Sequence, residues 1–168
     1  SPIQAASPGL SSFNFAWFEG ERTNDWSPQS AVGANPARWD LFELLFREVL
    51  GTRMAAWLAA NDPGGSFEVV GVSLGLGESD SLDLARASAA GTNLVALMDA
   101  ANSAMQAAGV CSVPSSRIPW TIVGVNELVW PCGQLLNQQY AAVAASRPQT
   151  AFVPVTDLGV RPSDTAHL

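Results

Sequence analysis

The second half of this 168-residue chain alternates apolar segments in a way that leaves few folds open. Residues 67–74 are rich in Val and read as a buried strand. Residues 82–108 carry Leu94, Leu97, Met98, Ala101 and Met105 at helical spacing. A second apolar strand follows over 118–125. Residues 134–146 then form a helix with Leu136, Tyr140, Val143 and Ala144 on one face, and 151–155 read as a last short strand. Strand, helix, strand, helix, strand is the pattern of a parallel sheet joined by crossover helices. The expected fold is α/β, a three-layer α/β/α arrangement with a short parallel sheet and flavodoxin-like winding. Sheets of this kind bind ligands outside the carboxyl ends of their strands.

The first part of the chain is less regular. Residues 1–37 are rich in Ser, Pro, Gly and Asn, yet they also hold Phe13, Phe15, Trp17, Phe18 and Trp26. Disordered segments are poor in aromatics, so this one is expected to pack on the body of a single domain spanning 1–168. Asn35-Pro36 is a helix start, with Asn as cap and Pro at the first helical position. The helix is expected to reach Leu50 and end at Gly51, with Leu41, Phe42, Leu45, Phe46 and Val49 on one face. A second short helix over 54–60 is stopped by Asn61-Asp62-Pro63-Gly64-Gly65.

With 48% hydrophobic residues the chain can bury a core of its own. Its net charge of −7 disfavours nucleic acid and anionic membranes as partners. No apolar run reaches the roughly 18 residues of a membrane-spanning helix. No leader is visible and the first residue is Ser, as in a processed or trimmed chain. Two cysteines, Cys111 and Cys132, flank the strand over 118–125, which would hold their loops about 25 Å apart at roughly 3.3 Å per residue. Two free thiols are favoured over a bridge. A single histidine rules out His/Cys metal spacing, and no Walker or dinucleotide glycine motif is present, so no metal or organic cofactor is expected.

Two loops carry chemistry, and each follows a strand. Gly77-Glu78-Ser79-Asp80 comes after the first, and Asp164-Thr165-Ala166-His167 after the last. His167 is the only histidine. An Asp three residues before it can orient the imidazole and stabilise its protonated form while it takes a proton from a serine. Ser79 or Asp80 could instead simply cap the following helix. The six tryptophans are expected first as core or packing residues; Trp17, Trp26 and Trp130, in or beside loops, are the ones placed to meet a sugar. Glu19, Glu21 and Asp25 read as a solvated acidic face.

On these two blocks, and on the helix carrying Asn137-Gln138-Gln139 before the last strand, the chain resembles the SGNH hydrolases, in particular the sialate and xylan O-acetylesterase-like branch. The likeness spans about 66–168, with a looser echo over 13–50. It implies an incomplete version of the SGNH hydrolase fold and a serine esterase acting on an acylated carbohydrate. His167 would be the general base and Asp164 its orienting partner. Ser79 stands where other branches have an oxyanion-donating Asn, Gly77 would shape the backbone there, and Asp80 would hold the loop. The family's nucleophile block is not found. Gln29-Ser30-Ala31-Val32-Gly33 echoes it, which makes Ser30 a candidate nucleophile, but Pro28 precedes it and no apolar strand leads into it. Gly51-Thr52 stands as a remnant of the family's second block, and Leu76 replaces the Gln found before Gly-Glu-Ser-Asp. Three explanations stay open: segments of a longer enzyme are missing, a companion segment supplies the nucleophile, or a domain that lost catalysis keeps a binding groove within a larger assembly. An extracellular or surface-associated setting is favoured.

Overall fold

Within residues 43–110 and 118–155, which this computed structural model describes, the three segments expected as strands form one parallel sheet. The strands are β1 (Val72–Gly75), β2 (Trp120–Val123) and β3 (Thr150–Val153), in the order β1-β2-β3. Val72 pairs with Trp120, and Trp120 with Thr150. Side chains alternate across the sheet. Val72, Leu74, Trp120, Ile122 and Phe152 turn to the core, while Ser73, Ala151 and Val153 are exposed on the other face.

The strands are shorter than the apolar runs that signalled them. The backbone N–H of Val69 donates to Val110 O at 2.8 Å, so the start of the first run is committed to the chain just past the long helix rather than to the ladder. β1 accordingly begins at Val72.

The crossovers contain α2 (Leu84–Ala107) and α3 (Gly133–Ser146). Right-handed crossovers in a sequential strand order put both helices on one face, side by side. They pack directly on each other. At Gly91 a Cβ would lie 3.5 Å from Gln139 Cβ and 3.6 Å from its backbone oxygen, so the two helices meet here at contact distance. Ala87, Ala90, Leu94, Met98, Ala101 and Met105 from α2 join Leu136, Tyr140 and Val143 from α3 over Trp120 and Ile122. Each large apolar side chain fully buried here contributes about 1.5–3 kcal/mol. A polar pair under the helices is satisfied: Trp120 Nε1 donates to Asn102 Oδ1 at 2.9 Å. The fold is α/β with a short parallel sheet, as expected; the second helical layer is not among the described residues.

The helices before β1 depart from expectation. A π-helical segment, Leu45–Met54, runs without a break into α1 (Ala55–Asn61). Gly51 therefore does not end a helix. A Cβ there would sit 3.3 Å from Ala108 O, so Gly51 lets this segment approach the end of α2, while Phe46 and Leu50 enter the core. The Asn35-Pro36 start lies outside the described residues. The expected stop at Asn61 does occur, with Gly64 at φ +94° just beyond it.

The start of α2 also differs from expectation. Its cap is Asp83, in extended conformation, whose Oδ1 accepts from Arg86 N at 3.0 Å. Asp83→Ala leaves that N–H without its partner and should destabilise the protein by about 1 kcal/mol, read as a lower midpoint in urea denaturation.

Candidate functional site

The carboxyl ends of the strands are Gly75, Val123 and Val153, and the first two lead into loops that touch. After β1 the chain turns inward at Leu76, which packs on Leu97. Gly77 follows at φ +124°, a conformation that L side chains rarely adopt. A Cβ there would lie 2.8 Å from Leu136 Cδ2 and 2.9 Å from the Tyr140 hydroxyl. Glycine is thus required twice, for the backbone and for the space. Ser81 N donates to Gly77 O at 2.8 Å and Ser81 Oγ to Glu78 O at 2.7 Å, closing the turn on itself. Residues Asp80–Leu82 form one 3-10 turn.

Ser79 sits at the head of this turn, half-buried, with helical backbone angles. It makes no side-chain cap, and among the described residues its hydroxyl has no hydrogen-bond partner. Asp80 next to it is almost fully buried. The capping explanation for Ser79 and Asp80 therefore fails for α2, because Asp83 holds that position. What remains is a hydrogen-bonded turn that carries a hydroxyl at the carboxyl end of a parallel strand.

In the second loop, residues 124–132, the sequence singled out only Trp130 and Cys132. β2 ends at Val123, and Gly124 N still donates to Val153 O at 2.9 Å. Val125 then has no strand to pair with. The Asn137 side chain, buried on α3, takes that place: its Oδ1 accepts from Val125 N and its Nδ2 donates to Val125 O, both at 2.9 Å. Asn137 Nδ2 also donates to Glu127 Oε1 at 2.9 Å. A Cβ at Gly124 would meet Asn137 Oδ1 at 2.7 Å, so the glycine makes room for the amide. Asn126 Oδ1 accepts from Leu128 N at 3.0 Å, an Asx turn that carries the chain round. The loop ends by donating Cys132 N to Ser81 O at 2.8 Å, which ties it to the Ser79 turn. The signal for this loop was present: Asn-Glu directly after an apolar strand, and an Asn on the apolar face of a helix.

The sequence-predicted residues divide cleanly. Gly77 and Ser79 stand together at this rim. Asp164, His167 and Ser30 lie outside the described residues, as do Trp17 and Trp26. Trp130 is half-buried against the core. Cys132 is a free thiol, and Cys111 lies outside the described residues. Among the described residues, no group of three side chains is placed to hold a metal ion, and no helix is long and apolar enough to cross a membrane. A shallow cavity of about 260 Å³ opens at the other end of the sheet, near Asn102, Trp120 and Arg147, away from these loops.

A parallel sheet with helices packed on it and a loop-built rim at its carboxyl edge defines a small α/β protein. No protein-family model matches the sequence, and no curated protein is similar to it. Among solved structures, the chain is similar to the X-ray structure of a protein from Arabidopsis thaliana, with 16% identity and a TM-score of 0.56 over 88% of this chain and 49% of the other. This chain spans about half the length of that neighbour, and the likeness is one of fold.

Gly77→Ala forces a strained φ and a clash with Leu136 and Tyr140, and should cost about 2–4 kcal/mol. A fall of that size in the free energy of urea unfolding checks it, and an unchanged midpoint would contradict the packing described.

Proposed function

We propose that this protein hydrolyses O-acetyl or similar esters, on carbohydrate, by a Ser-His-Asp mechanism. The observation that carries the reading is the Ser79 hydroxyl, unpartnered among the described residues and held beside the left-handed Gly77 at the carboxyl end of β1. Asp164-Thr165-Ala166-His167, which follows β3 in the sequence, supplies the acid–histidine pair.

In this mechanism a serine, either Ser30 or one on a companion segment, attacks the ester carbonyl carbon. His167 takes the hydroxyl proton, and Asp164 orients the imidazole and stabilises its charge. The carbonyl oxygen becomes an oxyanion that accepts from Ser79 Oγ–H and from neighbouring backbone N–H groups. Collapse expels the sugar alcohol, which receives the proton from His167. Water, deprotonated by His167, then attacks the acyl-serine; the acid leaves and the serine regains its proton. A pre-organised oxyanion donor is worth about 3 kcal/mol of barrier, roughly a hundredfold in rate.

Labelling with a serine-reactive fluorophosphonate, followed by peptide mapping, should give one adduct and name the nucleophile. With 4-nitrophenyl acetate, His167→Ala should abolish turnover, and Ser79→Ala should lower kcat about a hundredfold with little change in KM. No adduct and no turnover from this chain would exclude Ser30; the same result from the full-length parent protein would refute the esterase and leave a non-catalytic carbohydrate-binding module with the same fold.

A further inference from the structure

Asn137 does more than replace a missing strand. Its buried amide makes three hydrogen bonds, two to the Val125 backbone and one to Glu127 Oε1. The Val125 pair satisfies backbone groups that would otherwise be orphaned, and so has a structural reason. The third bond has none of that kind, because a half-buried Glu127 could turn to solvent and be hydrated there. Instead one carboxylate oxygen is tethered. Among the described residues the other, Oε2, has no partner.

Glu127 is also placed at the rim. A Cβ on Gly133 would lie 3.1 Å from Glu127 Cα, and the neighbouring Cys132 N donates to Ser81 O, two residues past Ser79. The loop of Glu127 and the loop of Ser79 are therefore one stitched surface. The next residue, Leu128, is 85% exposed.

We infer that Glu127, oriented by Asn137, is a specificity-determining residue that accepts hydrogen bonds from the hydroxyl groups of a neutral carbohydrate; the substrate class rests on the esterase reading above. One chemical property and two observations agree with that partner. A carboxylate accepts O–H groups in short, charge-assisted bonds. A net charge of −7 works against anionic ligands. A metal ion would need more ligands than the described residues group here. Tethering one oxygen leaves the other aimed in a fixed direction, which suits recognition of a hydroxyl at a set position and lowers the ordering cost of binding.

Glu127→Gln tests this, since the Gln carbonyl can still accept from Asn137 Nδ2 while the free acceptor becomes an N–H₂ donor. Calorimetry on the intact chain with xylotetraose and cellotetraose reads binding without turnover. Wild type should bind at least one of them, and Glu127→Gln should bind it at least tenfold more weakly with an unchanged melting temperature. The per-O-methylated oligosaccharide, which cannot donate, should lose the discrimination between the two proteins. Equal affinity of wild type and variant for the free oligosaccharide overturns the assignment, and so does wild type that binds neither. Failure of the esterase reading is separate: it appears as no fluorophosphonate adduct, while the calorimetric difference at Glu127 stands or falls by itself.

Discussion

The parallel pairing of β2 with both neighbours is the constraint from which the rest of the structure follows. Parallel strands cannot be joined by tight turns, so each pair requires a crossover long enough to hold a helix. With the order β1-β2-β3 and one crossover hand, α2 and α3 must lie on the same face and share its burial. Trp120 and Ile122 on the central strand are then covered from above by both helices. The same connectivity starts both α2 and α3 from the carboxyl edge of the sheet. The loops with unpaired backbone groups, and hence with freedom to carry chemistry, gather there.

Those loops are held by polar groups placed inside the packing. Asn137 projects from the apolar face of α3 and completes the ladder where β3 no longer reaches. Cys132 N and Ser81 O join the two turns. Gly77 and Gly124 keep open the space that these contacts occupy, since a Cβ at either would fall within about 3 Å of Leu136, Tyr140 or Asn137. In this way the rigidity of the rim comes from α3 and the sheet rather than from the loops themselves, which is the condition for a pre-organised site.

How much was legible depends on the range of the interaction. The alternation of strands and helices was readable because hydrophobic periodicity is local: Leu94, Leu97, Met98, Ala101 and Met105 mark one face of α2 without reference to anything else. The Gly77-Glu78-Ser79-Asp80 turn was readable for the same reason. Strand ends were not, because Val69 is bonded to Val110. Gly51 looked like a helix stop, and only the nearby Ala108 carbonyl explains why a glycine stands inside the π-helical segment. Asp83, rather than Ser79 or Asp80, proved to be the cap of α2, a choice set by where the 3-10 turn after Gly77 leaves the chain. The pairing of Asn137 with Glu127 was missed because they are ten residues apart on different elements.

By itself the sequence determined the fold class and the order of the elements, since both rest on apolar spacing along the chain. It also marked the Ser79 turn, where the glycine and the polar residues are neighbours in the chain. Only the tertiary structure decided which polar groups share the rim. The bonds from Asn137 to Val125 and Glu127, and from Cys132 to Ser81, join residues distant in sequence. Those at Val125 exist because packing α3 on the sheet leaves its backbone groups no water to turn to.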